Sequence, residues 1–272
     1  MTTHQFPPRL DRKYPVVDGK VATRSLEAHV VDHCNLVCAE CCSLSPHLPR
    51  WQLDPSPFAD DLSRASRVLA PRVFKLVGGE PLLHPELVEL VEIARTSAIA
   101  SMISLTTNGL LLARTPDALW DAIDAFTISV YPRPRIDAED IAVIKARAAR
   151  FGVALNWKHQ NEFVVMNRTT PSTDPAADAA LFHDCWIRER CHMVRDGRFY
   201  TCPRPPHFHS YHRGERDFMG DGLELADATV DRVHTYLTRR EPLAACAHCY
   251  GGAATMAPHR LLTRDELLRA RR

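Results

Sequence analysis

The stretch VVDHCNLVCAECCSLSPHLP, residues 30–49, holds four cysteines within nine positions, namely Cys34, Cys38, Cys41 and Cys42. The segment that leads into it, LEAHVVDH (26–33), alternates in polarity and is rich in β-branched residues, which predicts a strand that runs into a cysteine loop. An ordinary core rarely holds so many thiols so close together. The stretch therefore indicates a metal or redox site at the end of a strand.

The overall composition bounds the class of protein. The chain has 272 residues, 45% of them hydrophobic, which is enough for a sizeable core. Its net charge of +1 gives no electrostatic basis for binding nucleic acid or a membrane surface. No segment is long and apolar enough to span a bilayer, and the first residues lack the apolar region of a signal peptide. We therefore expect a cytoplasmic protein with reduced cysteines.

Strand and helix patterns alternate along the first two thirds of the chain. The predicted strands are 26–33, 73–79, 101–109, 125–132, 152–159 and 162–167. The predicted helices are 57–70, 85–98, 116–123 and 138–151. This order predicts an α/β fold with a parallel sheet, and its length suits a partial (β/α)6 TIM-like barrel better than a closed eightfold one. Function in such folds gathers at the C-terminal ends of the strands, where the cysteine loop, GGEP and TTNG all lie.

The sequence predicts three segments with different characters. Residues 1–25 form a proline-containing N-terminal extension, residues 26–170 the barrel, and residues 180–272 a small second module. Between the last two, TTPSTDPAADAA is typical of a linker. The second module carries its own cysteines, which are Cys185, Cys191, Cys202, Cys246 and Cys249. The gap between the two groups of cysteines indicates two separate sites.

The spacing of the first group fits an iron–sulfur cluster. Cys34, Cys38 and Cys41 offer three thiolates, which can hold three irons of a [4Fe–4S] cube and leave the fourth iron open to another ligand. A structural zinc ion is the alternative, with Cys42 or His33 as its fourth ligand. The loop by itself leaves both possibilities open.

Two motifs in order resemble the radical S-adenosylmethionine (SAM) superfamily. The CxxxCxxC pattern of Cys34, Cys38 and Cys41 is followed by LVGGEPLLHPEL (76–87), which is similar to the GGEP motif of that superfamily. The resemblance implies a [4Fe–4S] cluster whose open iron is chelated by SAM. The residue before the third cysteine is usually aromatic in the superfamily. Here it is Glu40, so we assign no residue that stacks on adenine.

The resemblance also implies residues that contact SAM. Gly78, Gly79 and Glu80 would receive the methionyl ammonium, which agrees with the close approach that glycine allows and the pairing of a carboxylate with a cation. Asn108, within TTNG, falls where the third strand lies beside SAM in many members. Ser129 on the fourth strand is a candidate for the ribose or the carboxylate of SAM.

The second group of cysteines resembles the twitch module, a shortened SPASM domain that holds one auxiliary [4Fe–4S] cluster. GRFYTC (197–202) matches the hairpin that carries a ligand cysteine, with Asp196-Gly197 as its turn. Zinc is again the alternative. By this resemblance the second module holds a second, auxiliary [4Fe–4S] cluster.

Five thiols are more than a cube requires, so the ligand set has two possible forms. Ligands Cys185, Cys191, Cys202 and Cys246 would leave Cys249 free, as in neomycin-type aminoglycoside epimerases, where a C-terminal cysteine donates hydrogen. Ligands Cys185, Cys202, Cys246 and Cys249 would leave Cys191 free, as in the aminocyclitol dehydrogenase with a twitch module. We favour Cys249 as the free, catalytic thiol.

The implied chemistry begins with reductive cleavage of SAM to a 5′-deoxyadenosyl radical, which removes hydrogen from a substrate C–H bond. The favoured outcome is epimerisation by return of hydrogen from a thiol. Oxidation by a dehydrogenase and maturation of a peptide are the enzymatic alternatives, and a zinc-bound structural protein is the non-enzymatic one. The expected electron donor is a flavodoxin or ferredoxin.

The expected substrate is a small cationic aminosugar. Carboxylates that could bind it are Asp32, Glu40, Glu80, Glu162, Asp184 and Asp196. The segment HFHSYHR (207–213) either lines a pocket or forms a solvated loop.

Overall fold

The structure is a computed structural model, and it describes residues 14–212 and 217–270. Residues 1–13 of the predicted N-terminal extension, and Arg213 of HFHSYHR, lie outside the described residues. Within the described part of the chain, no helix is both long and apolar enough to cross a membrane.

Helices and strands alternate through the barrel region, as the sequence predicted. The strands are β1 (Val16–Val17), β2 (Lys20–Val31), β3 (Leu69–Gly78), β4 (Ile103–Thr107), β5 (Ala125–Val130), β6 (Ala154–His159), β7 (Glu162–Val164), β8 (His192–Arg195), β9 (Arg198–Tyr200), β10 (Leu223–Glu224) and β11 (Met256–Pro258). The α-helices are α1 (Pro55–Val68), α2 (Leu87–Thr96), α3 (Asp117–Ala122), α4 (Ala138–Phe151), α5 (Pro175–Asp184), α6 (Ile187–Arg190), α7 (Arg204–Tyr211), α8 (Val230–Thr238) and α9 (Arg264–Ala270).

One large sheet organises the described residues. Its strands follow the order β10-β9-β8-β2-β3-β4-β5-β6, with β1 added to β2. The strands from β8 to β6 in that order are parallel, whereas β9 and β10 turn back as antiparallel strands. The predicted α/β fold with a partial, TIM-like parallel barrel is confirmed. The C-terminal segment adds β8–β10 to the same sheet beside β2.

The main core lies between this sheet and the outer helices. Helix α1 begins at Pro55 because the Asp54 side chain accepts a hydrogen bond from the Ser56 N–H and because proline fits the first helical turn. Its buried residues Phe58 and Leu62 pack on the sheet. Side chains alternate across a strand, so the β2 residues Leu26 and Ala28 join this core while Glu27 and His29 face the barrel interior.

A second, smaller core joins the cysteine loop to the C-terminal segment. It contains Leu44 and Leu48 of the loop, Phe182 of α5 and Phe208 of α7. Because these side chains are buried together, the two groups of cysteines are carried by parts of the chain that pack on each other.

Three local predictions were wrong. Strand β2 begins at Lys20 rather than Leu26, since it continues across alternating residues that pair with β3. The sixth predicted strand does not extend the barrel, because β7 pairs with β11, and β8 takes the sixth parallel position beside β2. The predicted linker contains helix α5, whose N-terminus is capped by the Asp174 carboxylate accepting from the N–H groups of Ala176 and Ala177.

Candidate functional site

The cysteine loop leaves the C-terminal end of β2 and places three thiols near one another. Burial raises the pKa of Cys34 and of Cys38 to about 12 and that of Cys41 to about 11, and the neighbouring cysteines add to this rise. The thiol of Cys42 is exposed, and the His33 ring hydrogen-bonds the Trp51 carbonyl.

Thiols in this setting keep their protons unless a cation lies beside them. A metal or iron–sulfur cluster supplies that charge and binds the thiolate forms. The donor set of three soft sulfurs therefore fits the cube that the spacing predicted. That these three residues are the ligands stays a prediction.

The GGEP segment packs directly on the end of β2. The Gly79 N–H donates to the Val31 carbonyl over 2.8 Å, and the Glu80 N–H donates to the His33 carbonyl over 3.1 Å. A Cβ atom on Gly79 would lie 2.1 Å from the His33 carbonyl oxygen, and one on Gly78 would lie 2.4 Å from the Val31 carbonyl oxygen. Both glycines are therefore required by the contact between this segment and the start of the cysteine loop.

Glu80 links the ends of β3 and β4. It is fully buried, and its carboxylate accepts from the Thr107 hydroxyl over 2.6 Å, from the Asn108 N–H over 2.8 Å and from the Leu82 N–H over 3.1 Å. Burial raises its pKa to about 7, against these three hydrogen bonds. A role of Glu80 toward the methionyl ammonium stays a prediction, and the bonds that are present give Glu80 a positioning role.

Asn108 lies against the cysteine loop. Its side-chain amide donates to the Asn35 side chain over 2.7 Å and lies 3.9 Å from the Cys34 sulfur. Ser129 is buried at the end of β5, two residues before Tyr131. The structure thus places TTNG beside the first cysteine, and Ser129 on the strand beyond it.

A segment that the sequence analysis did not assign covers the cysteine loop. Residues 256–262, here called the C-terminal strap, pair with β7 through β11 and continue across the loop. The Ala39 N–H donates to the Arg260 carbonyl, and the Leu262 N–H donates to the Val37 carbonyl. Within the strap, the Nε2 atom of His259 lies 3.3 Å from the Cys38 sulfur. No motif marks this histidine, because the contact spans 221 positions of sequence.

The second group of cysteines surrounds a small cavity. Four thiols line it, those of Cys185, Cys202, Cys246 and Cys249. The Asp221 carboxylate accepts from the N–H groups of Ala244 and Ala245, which fixes the turn that carries the last two thiols. The predicted hairpin is present, with positive φ at both Asp196 and Gly197 as a type I′ turn requires.

Cys191 stands apart from these four thiols. It does not line the cavity, and burial raises its pKa, a rise that Glu27 on β2 increases and that Lys75 on β3 and Lys158 on β6 reduce. The four cavity thiols match the ligand set in which Cys249 is a ligand, and which of the two sets holds a cluster stays a prediction.

Several of the predicted substrate carboxylates already have partners. Both oxygens of the buried Asp32 accept from Arg195, each over 2.8 Å, and Arg195 also contacts Asp196. The oxygens of Asp32 and Glu80 thus already serve buried hydrogen bonds, and their use by a cationic substrate stays a prediction. Asp184 hydrogen-bonds the His183 ring.

The predicted pocket or solvated loop at 207–213 begins as helix α7. His207 of this helix is fully buried, and its ring centroid lies 4.4 Å from that of His29 in the barrel interior. Within residues 14–212 and 217–270, no hydrogen-bond partner is present for the ring nitrogens of His207 or for the Nδ1 atom of His29. These two imidazoles add polar groups to the barrel interior that sequence spacing did not reveal.

A groove of about 460 Å³ opens beside β5, β6 and α4. It is lined by aromatic and basic side chains, which include Tyr131, Trp157, Arg135 and Lys145. Its lining residues contain no carboxylate, so this groove does not match a cationic ligand.

Comparison with known proteins agrees with this architecture. No protein-family model matches the chain. The crystal structure of BtrN in complex with AdoMet and 2-DOIA superposes with a TM-score of 0.50 and 14% identity, over 80% of this chain and 82% of BtrN. This chain therefore shares the fold of that structure.

Curated relatives match a shorter segment. The GTP 3′,8-cyclase of Chlorobaculum tepidum is 37% identical over 105 residues, which is 37% of this chain and 31% of the relative. The GTP 3′,8-cyclase of Streptomyces coelicolor is 36% identical over 118 residues, which is 41% of this chain and 34% of the relative. The match thus spans about a third of the length of these relatives.

Proposed function

We propose that this chain is a radical SAM enzyme, which removes a hydrogen atom from a C–H bond of a polar small molecule and inverts that carbon. The observation that carries the proposal is the meeting of one buried and two half-buried thiols with GGEP and TTNG at the C-terminal ends of β2, β3 and β4. Cys34, Cys38 and Cys41 would hold a [4Fe–4S] cluster and SAM would bind its open iron. Together they supply a 5′-deoxyadenosyl radical when bound.

The protein's own residues position these groups and keep water away. Glu80 fixes the ends of β3 and β4 relative to each other through its three hydrogen bonds. Gly78 and Gly79 let the GGEP backbone approach the cysteine loop, and the C-terminal strap covers that loop from the other side. A radical reaction needs such an enclosed site, because the reacting carbon must lie in contact with the radical carbon.

Inversion requires a hydrogen-atom donor on the opposite face of the substrate, and we propose Cys249. The sulfur radical left on Cys249 would take up one electron from the flavodoxin or ferredoxin reductant and one proton from solvent, which restores the thiol. Five thiols lie in the second group, and a cube uses at most four. Burial raises the pKa of Cys249, which keeps the hydrogen that a donor must give, although the adjacent Arg204 guanidinium lowers it. The same Arg204 donates to the Cys42 carbonyl over 2.6 Å, so Cys249 lies on the side of its cavity that is linked to the cysteine loop.

Oxidation is the second candidate, and one observation favours it. Cys249 lines the same cavity as Cys185, Cys202 and Cys246, which is the arrangement of four ligands around an auxiliary cluster. A cluster held by these four thiols would supply an acceptor for one electron of the substrate radical, which would also lose the hydroxyl proton to solvent and become a carbonyl. Cys191 would then be the thiol outside the cluster.

We propose an aminosugar or aminoglycoside as the first substrate class to test. Glu27 is buried and faces the barrel interior, and it lies opposite Lys75 in the register of β2 and β3. The unpartnered nitrogens of His29 and His207 add hydrogen-bonding groups on the same side. These groups suit a ligand with many hydroxyl and amino groups better than an apolar one.

The deciding experiment runs the anaerobic, iron-reconstituted protein with SAM, reductant and an aminoglycoside panel in D2O. We expect 5′-deoxyadenosine together with one deuterium at an inverted carbon. The Cys249→Ala variant should still form 5′-deoxyadenosine, lose inversion and keep its auxiliary iron. Cys191→Ala is the matched control, because it removes the other thiol that one of the two ligand sets leaves free.

Other outcomes would change the assignment. A new carbonyl without deuterium would replace inversion by oxidation. Loss of inversion in Cys191→Ala, with loss of auxiliary iron in Cys249→Ala, would exchange the roles of the two thiols. A colourless protein with stoichiometric zinc and no SAM cleavage would refute the enzyme altogether. A low-potential flavodoxin or ferredoxin would serve as the cellular reductant.

A further inference from the structure

The C-terminal strap holds His259 against the cysteine loop through backbone bonds on both sides. One antiparallel bridge joins Cys38 to Leu261; the Ala39 N–H donates to the Arg260 carbonyl over 3.0 Å, and the Leu262 N–H donates to the Val37 carbonyl over 2.8 Å. The His259 N–H itself donates to the Asn161 carbonyl over 2.8 Å. These backbone bonds therefore fix the position of His259 independently of the contacts that its ring makes.

Aromatic packing fixes the orientation of the ring. The His259 imidazole stacks on the Tyr131 ring, with centroids 4.7 Å apart and planes 18° apart, and it meets the Phe163 ring at 5.3 Å. This packing leaves the Nε2 atom 3.3 Å from the sulfur of Cys38. The distance is normal for a hydrogen bond to sulfur, which is a larger acceptor than oxygen.

We propose that His259 is a positioning residue that donates a hydrogen bond from Nε2 to the sulfur of Cys38 and thereby eases reduction of the cluster bound there. The inference rests on the proposed use of Cys38 as a cluster ligand. A thiolate ligand offers no proton, so the ring nitrogen must be the donor. Reduction adds negative charge to the cluster and its sulfurs, and a donor beside a sulfur stabilises that charge.

The test compares three variants of the full-length, reconstituted protein. His259→Phe keeps an aromatic ring for stacking on Tyr131 but removes the donor, and His259→Leu is a second variant without a donor. His259→Gln places an amide N–H near the position of Nε2. The readout is the ratio of reduced to oxidised first cluster at a fixed solution potential, measured by electron paramagnetic resonance. The signal that shifts on addition of SAM identifies that cluster.

Loss of one charge-assisted hydrogen bond should lower this ratio about tenfold in His259→Phe and His259→Leu. His259→Gln should restore most of it. Amide exchange at Ala39 and Leu262 should stay slow in all three, which shows that the strap remains docked. An unchanged ratio in the donor-free variants overturns the proposal, and so does an equal fall in all three.

Retention of iron distinguishes the remaining outcomes. If both donor-free variants lose the first cluster while His259→Gln keeps it, the hydrogen bond is supported as a requirement for binding. If all three lose it, the contact is a packing contact only and the proposal fails. A wild-type protein that binds no iron at Cys34, Cys38 and Cys41 overturns both this inference and the proposed function. A wild-type cluster with an unaltered ratio in the variants overturns this inference alone.

Discussion

Replacing Gly79 by alanine tests how tightly the GGEP segment is bound to the cysteine loop. A Cβ atom there would lie 2.1 Å from the His33 carbonyl oxygen, 2.5 Å from the His33 carbonyl carbon and 2.9 Å from the Asp32 carbonyl oxygen. All three are backbone atoms, so no side-chain rotation relieves the contact. The loop must move by about 1 Å to restore van der Waals distance, which breaks the bond from the Gly79 N–H to the Val31 carbonyl.

The expected loss of stability follows from this displacement. Overpacking in a fixed environment costs about 1–3 kcal/mol, and the contact with backbone puts Gly79→Ala near the upper figure. A loss of about 3 kcal/mol corresponds to a fall in Tm of roughly 6 to 12 °C for a domain of this size. The φ of Gly79 is not in the left-handed region, so the effect is steric.

Urea unfolding of the reduced, metal-free protein measures this difference. The matched control is Gly220→Ala, because a Cβ atom at Gly220 would meet nothing within 4 Å. That variant should unfold within about 0.5 kcal/mol of the wild type. If Gly79→Ala were as stable as Gly220→Ala, the close packing of GGEP on the loop would be refuted. The Gly79 variant should also retain less iron at the first site, since His33 precedes Cys34.

Three further predictions concern buried carboxylates. Burial raises the pKa of Glu80 from 4.5 to about 7, so the folded protein binds this proton more tightly than the unfolded chain does. The resulting stabilisation is complete below pH 4.5 and is lost as the pH rises through 7. The free energy of unfolding in urea should therefore fall between about pH 5.5 and pH 8 in the wild type, and Glu80→Gln should lack this part of the fall. Asp32→Ala leaves the buried Arg195 with only the exposed Asp196 as a charged partner and should destabilise the fold by about 3–5 kcal/mol, whereas a hydrophobic replacement of both Asp32 and Arg195 should recover much of that loss in thermal unfolding. Asp221→Ala frees the turn before Cys246 and should lower auxiliary iron, measured per chain, while the iron of the first site is unchanged.

The fold was largely predictable because its signals are local. Helix α4 matched its predicted bounds, since Asp137 caps it at one end and Gly152 ends it with a left-handed conformation. The hairpin at Asp196-Gly197 was recognisable for the same reason. Strand β8 was not, because its place beside β2 depends on pairing between residues far apart in sequence.

Only the parts of the candidate site that belong to a local sequence motif could be predicted. Cys34 and the GGEP segment could be assigned from the sequence to the C-terminal ends of two parallel strands. The pairing of the Asp32 carboxylate with Arg195 could not be predicted, because the two residues lie 163 positions apart. His207 and His259 were missed for the same reason, since each acquires its neighbours through tertiary packing.

The long separation between the strap and the cysteine loop bears on the order of assembly. A ribosome releases Cys34, Cys38 and Cys41 when most of the strand partners of the loop are still unmade, and the covering residue His259 follows Cys38 by 221 positions. Docking of the strap then places His259 against Cys38. If the three sulfurs hold the proposed cluster, insertion before β11 pairs with β7 would meet less covering chain than insertion afterwards.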